Sequence, residues 1–137
     1  MTVYLDTSVL VSLFQNDKHT ERASAWLEGV DSFVLSSWTL TEFSSALAVR
    51  TRMRQLLDRE RREFELQLDQ WLRGRVILSV FDGDMLEARR LVRNDVRLRA
   101  PDGLHLAVAV RHGCILATLD EDMAKVAGDI GLTVAIP

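Results

Sequence analysis

Four acidic residues stand where a carboxylate is costly unless something answers its charge. Asp6 lies in VYLDTS, between an apolar triplet and the apolar run VLVSLF. Asp120 ends LATLD, Asp102 opens APDGLHLA, and Glu42 sits in WTLTEF. A charge in an apolar setting must be paired, capped or bound to a cation. Each acid has a local answer. Asp6 and Asp120 precede helix-like runs and can cap them. Asp102 can complement a positive helix N-terminus. Thr39-Leu40-Thr41-Glu42 has the form of a capping box, with Glu42 in the first turn reaching back to the Thr39 amide. Together the four allow another answer. Converging carboxylates raise one another's pKa, and a hard divalent cation such as Mg2+ or Mn2+, which takes oxygen ligands, removes the conflict.

Other chemistries fit less well. His19, His105 and His112 have no metal-like spacing with Cys114, and His105, just inside a helix-like run, reads as a buried, satisfied histidine. There is no glycine-rich phosphate loop. Ser8 comes too early, and without a nucleophile elbow, for an α/β-hydrolase. A receiver-type phosphoacceptor needs an acidic pair after its first strand and a lysine after its last, and a HAD-type phosphatase needs D-x-D; DTS and LTVAI supply neither.

For the four acids to meet, the chain must bring them to one edge. The runs TVYLD, SFVLS, RVILSV, CILAT and LTVAI read as short buried strands. Between them lie helix-like stretches: VLVSLF, HTERASAWLEGV, residues 39–53, 58–74, 82–95 and 100–113, and EDMAKVAGDIG. The 100–113 stretch has proline in its first turn and Gly113 at its end. Alternating strands and helices predict an α/β fold: a mainly parallel sheet of about five strands, the first one central, with helices on both faces. Ligands of such sheets bind outside the carboxyl ends of the strands. That is where Asp6 and Asp120 end their strands and where Asp102 and Glu42 begin their helices.

The 137 residues, 47% of them hydrophobic, predict one packed domain over 1–137. No apolar run reaches the ~20 residues that span a bilayer, and the N-terminus lacks signal-peptide form. A single cysteine suits a cytoplasmic setting. The net charge of −3 hides two basic runs, 50–62 with six arginines and 89–99 with five, each carrying a local +4. Fifteen of the 17 basic residues are arginine, which suits bidentate phosphate contact. Solvated helix faces with ordinary ion pairs would explain either run alone. The 38–73 stretch carries Trp38, Phe64, Leu68 and Trp71, more bulk than one helix hairpin hides, so part of it is expected to be covered by a partner.

On YLDTSVLVSLF, SSWTLTEFSSAL, APDGLHLAVA and ILATLDEDMAKVAGDIGLTV the whole chain resembles the PIN-domain ribonucleases, specifically VapC-type toxins of toxin–antitoxin pairs. The resemblance implies a PIN-like fold and a Mg2+- or Mn2+-dependent endoribonuclease. Its four-acid site maps onto Asp6, Glu42, Asp102 and Asp120, with Thr7, Ser8 and Thr118 as supporting hydroxyls and Asp122 as an extra nearby carboxylate. Asp6, Asp102 and Asp120 would be direct metal ligands, and Glu42 would hold a second ion or orient the attacking water. The resemblance also implies RNA as substrate, a homodimer, and a cognate VapB-like antitoxin. Gly103 stands where alanine is usual and Met123 where an aromatic is common. A non-catalytic PIN-like module that holds RNA or a partner without cutting is the alternative, and the intact acid set counts against it.

Overall fold

The computed structural model describes all 137 residues. Five short strands form: β1 (Val3–Leu5), β2 (Phe33–Ser36), β3 (Ile77–Leu78), β4 (Ile115–Ala117) and β5 (Val134–Ala135). Seven helices accompany them: α1 (Thr7–Phe14), α2 (Thr20–Glu28), α3 (Ser37–Arg52), α4 (Asp58–Trp71), α5 (Asp82–Asn94), α6 (Ala100–Arg111) and α7 (Glu121–Asp129). Every ladder is parallel, in the order β3-β2-β1-β4-β5, so the predicted α/β sheet with a central first strand is what forms.

Strand alternation divides the core into two layers. Tyr4, Val34 and Leu116 share one cluster with Leu91, Leu106 and Met123 of α5, α6 and α7. Leu5, Leu35 and Ala117 share the other with Val9, Phe43 and Leu68 of α1, α3 and α4. Helices therefore cover both faces, which is why the strands read as unbroken apolar runs. Cys114 is buried, and burial pushes its thiol pKa up, as suits an inert core residue.

α6 is buried on nearly every side from Gly103 to Ala109. Pro101 lies in its first turn, and Gly113 takes the left-handed φ of 61° just beyond its end. Gly103 has a packing reason. A Cβ there would lie 2.9 Å from Val92 Cγ2 and 3.1 Å from the Ala88 carbonyl oxygen, so α5 and α6 approach through the missing side chain. Farther along, buried Asp84 accepts from Arg111 Nε at 2.6 Å and Nη2 at 2.9 Å, and from the Phe81 amide at 2.9 Å. Burial opposes ionisation of Asp84, but these donors outweigh it and its pKa is lowered. The pair ties the start of α5 to the end of α6.

Three expectations change. α3 begins at Ser37, and its capping box uses Ser36 and Thr39 rather than Thr39 and Glu42. The Ser36 hydroxyl, at the end of β2, already accepts the Thr39 amide, while the Thr39 hydroxyl also reaches the Leu5 carbonyl. Glu42 thereby falls in the second turn, free of capping. β3 keeps only two residues of RVILSV. In the 38–73 pair, Leu68 is buried and Phe64 and Trp71 pack on the same chain's core; Trp38 packs instead beside Ala88, Leu104 and Ala107.

Candidate active site

Asp6 follows β1 directly and is 3% exposed. It caps α1, its Oδ1 accepting from the Val9 amide at 3.1 Å and the Ser8 hydroxyl at 2.6 Å, while Oδ2 accepts from Thr118 Oγ1 at 2.5 Å. Burial raises its pKa, and neither the pull of His105 nor these three donors fully offsets that. Capping is therefore real for Asp6, but it leaves a carboxylate that holds its charge at a cost.

Asp120 follows β4 and caps α7, its Oδ1 accepting from the Met123 amide at 3.0 Å. The two strand ends are laced together. Thr118 Oγ1, which donates to Asp6, accepts from the Asp120 amide at 3.0 Å, and Ser8 Oγ accepts from the Leu119 amide at 2.9 Å. Asp102, in the first turn of α6, pairs with Arg99 at 3.3 Å. Its pKa is raised, chiefly by burial, with the Asp120 charge adding to the rise against the pull of Arg99. Two carboxylates that repel across the end of the sheet lie in one electrostatic neighbourhood.

Glu42 points from α3 toward the start of α1 and toward α6. Its Oε1 accepts from Thr7 Oγ1 at 2.8 Å and lies 2.5 Å from His105 Nε2. Burial works to raise its pKa, but the contacts with His105 and Thr7 and the charge of Arg99 prevail, and it sits below the usual value. Thr7, Ser8 and Thr118 thus each touch an acid of the set. Asp122, in the first turn of α7, is exposed and makes no side-chain hydrogen bond.

His105, read from the sequence as a buried and satisfied histidine, is one, while Tyr4 went unassigned. Both are buried, with Tyr4 Oη 2.7 Å from His105 Nδ1. Two signals were there. His105 lies one helical turn after Asp102, and Tyr4 lies two residues before Asp6 on the same side of the strand. Of the basic runs, Arg99 reaches the site, whereas Arg61 and Arg62 pair with Asp58, Arg90 with Glu87, and Arg97 with Asp95 and Asp129. Much of both runs is ordinary surface ion pairing, worth little to stability.

The donors of the set are carboxylates and hydroxyls, the oxygen chemistry a hard cation takes. In donor type they fit Mg2+ or Mn2+. No three Asp, Glu, His or Cys side chains stand close enough to close a shell around one ion, and each carboxylate is engaged by a protein donor. A groove of about 730 Å3, lined by none of the four acids, lies between the first turns of α3 and α6 and the flank of α5, walled by Trp38, Val80, Met85, Val92, Pro101 and Leu104.

The PIN domain family model matches residues 3–129. No curated protein matches the chain. Among solved structures, FitAcB from Neisseria gonorrhoeae is similar at 24% identity and TM-score 0.72, covering 96% of this chain and 95% of its own. VapBC2 from Rickettsia felis, bound to a DNA fragment from its promoter, aligns at 16% identity and TM-score 0.75, over 100% and 99%. VapC20 of Mycobacterium tuberculosis, a sarcin-ricin loop cleaving toxin, aligns at 20% and 0.72, over 98% and 99%.

Proposed function

The chain belongs to the PIN-domain family, and from that premise we propose that it is a metal-dependent endoribonuclease, the toxin of a toxin–antitoxin pair, hydrolysing RNA phosphodiester bonds. The observation that best supports this reading is the lacing of Asp6 and Asp120, at the carboxyl ends of β1 and β4, through the Thr118 hydroxyl. Asp6, Asp102 and Asp120 would hold Mg2+ or Mn2+, with Glu42 holding a second ion or orienting the attacking water. A bound divalent ion there supplies a water of lowered pKa and neutralises charge on the phosphate. Thr118 and Ser8 fix Asp6, Thr7 fixes Glu42, and Asp122 assists through water. Arg99, which pairs with Asp102, would draw RNA phosphate to an otherwise acidic edge.

The partners follow from the same premise. The toxin-like neighbours support a VapB-like antitoxin for this chain. A homodimer is assigned to the 730 Å3 groove, beside which α5 exposes Phe81, Met85 and Leu86. Antiparallel pairing of two α5 helices about a two-fold axis would set Asp82 of one copy against Arg89 and Arg93 of the other. We read residues 1–137 as one PIN domain acting in the cytoplasm; no helix is long and apolar enough to cross a membrane.

One observation favours the non-catalytic reading: every carboxylate already has a protein partner. Titrating Mn2+ into the protein with labelled RNA separates the two. The nuclease reading expects cleavage that rises with metal and saturates. RNA binding without cleavage at any metal concentration would instead establish a binding module.

A further inference from the structure

His105 is 2% exposed, and both of its ring nitrogens are engaged. Nδ1 lies 2.7 Å from Tyr4 Oη; Nε2 lies 2.5 Å from Glu42 Oε1 and 3.1 Å from Thr7 Oγ1. Tyr4 Oη is itself held, 2.7 Å from Ser36 Oγ and 3.2 Å from Thr39 Oγ1, at the start of the helix that carries Glu42. The ring cannot turn without breaking contacts on two sides. Residues of β1, α1 and α3 thus meet on one imidazole carried by α6.

The contacts on Glu42 are unequal. Thr7 and His105 both fall on Oε1, and Oε2 has no protein partner. Glutamate has three side-chain torsions and would otherwise sample many orientations from α3, at an entropy cost to any ligand that needed one of them. An ionised carboxylate only accepts, so the proton between His105 and Glu42 sits on Nε2.

We infer that His105, held by Tyr4, is the positioning residue for Glu42: with Thr7 it occupies Oε1, so that Oε2 alone faces the cation or the attacking water. The inference rests on the reading of Glu42 as a site carboxylate. It resembles the way outer partners orient carboxylate and histidine ligands in metal sites generally. A core histidine with a purely structural role would need satisfied nitrogens, but not a partner with one free oxygen at the sheet edge.

Two substitutions separate the roles. A glutamine amide reaches the Nε2 position, whereas an asparagine amide reaches only the Nδ1 position. His105→Gln can still donate to Glu42, and His105→Asn can keep only Tyr4. For the intact protein, His105→Gln should keep kcat within about threefold and Mn2+ affinity by calorimetry near wild type. His105→Asn should lose about 10–100-fold in kcat or Mn2+ affinity, the range for lost outer partners, with KM for RNA little changed. In 15N NMR spectra, the His105 Nε2 proton should be observable in wild type and shift clearly in Glu42→Gln. Equal losses in folded Gln and Asn variants, or an Nε2 signal indifferent to Glu42→Gln, would overturn the inference. If His105 variants fail to fold, the Glu42→Gln spectrum decides it. A wild type that does not cleave RNA would defeat the nuclease reading, and the spectrum would still decide the His105–Glu42 contact.

Discussion

Replacing Gly103 with alanine sets two effects of known size against each other. In an ordinary helix the change would add about 1 kcal/mol of stability, because alanine loses less backbone entropy. Here the new Cβ would lie 2.9 Å from Val92 Cγ2 and 3.1 Å from the backbone oxygen of Ala88. Valine on a helix is confined to essentially one χ1 rotamer, so its methyl cannot swing away, and a backbone carbonyl cannot turn aside. Overpacking of this kind costs about 1–3 kcal/mol, here toward the upper end because both neighbours are stiff. The net expectation is a loss of about 1–2 kcal/mol by urea unfolding, with the m-value unchanged. Val92→Ala should relieve one of the two clashes, so the double variant should be about 1 kcal/mol more stable than the two single losses add up to. Gly103 also lies between Asp102 and His105, so a displaced α6 should lower activity beyond what the stability loss explains. A Gly103→Ala protein more stable than wild type by about 1 kcal/mol, as propensity alone requires, would refute this reasoning. So would a double variant showing no coupling.

Other consequences follow from the charges and the exposed α5 face. Asp84→Ala should cost about 3 kcal/mol in thermal or urea unfolding, since it strands Arg111 and the Phe81 amide. The Asp84 pKa is lowered in the fold, so its stabilisation is present above the ordinary carboxylate range and lost as pH falls through its folded value. The Asp84→Asn penalty should therefore shrink toward pH 3. Asp6 has the opposite sign: its pKa is raised, so its stabilisation is present at low pH and lost as pH rises through the raised value. Measured in EDTA, Asp6→Asn should gain on wild type between pH 4 and 7 (about the carboxylate-to-neutral window), and a constant difference would contradict this. Leu86→Glu, on the exposed flank of α5, should leave the fold intact and convert a sedimenting dimer to monomer; an unchanged mass would remove the α5 assignment.

The layer plan was legible because it depends on patterns local to the chain. Strand runs such as VYL and VLS, the proline and glycine that bound α6, and the alternation of elements all specify their own structure. Asp6 and Asp120 were legible as caps at strand ends and Asp102 as a first-turn residue, because each depends on its own flanking sequence. Contacts between distant segments were not legible. Ser36 outcompetes Thr39 as the cap of α3 because the helix starts at Ser37, directly after β2 and two residues before the predicted start, and that shift frees Glu42. The Tyr4–His105 bond joins residues 101 apart in sequence. Gly103 stood out only as a glycine where alanine is usual, and is a contact point between α5 and α6. Which arginines pair with acids and which stay free was not legible either: Arg61 and Arg62 share Asp58 and Arg90 takes Glu87, while Arg89 and Arg93 make no ion pair.

The most direct measurement of the central claim is RNA cleavage by Asp6→Asn in saturating Mg2+ or Mn2+, beside wild type with and without EDTA, with folding checked by thermal unfolding. Asparagine caps a helix about as well as aspartate, and it keeps an acceptor for the Val9 amide and Ser8. It removes the charge that a hard cation requires and turns the acceptor facing Thr118 into an amide donor, which the folding check monitors. The account predicts a stably folded variant whose cleavage falls by about 100-fold or more, and a wild type silenced by EDTA and restored by metal. Cleavage at the wild-type rate by Asp6→Asn, or wild-type cleavage undiminished in excess EDTA, would contradict it.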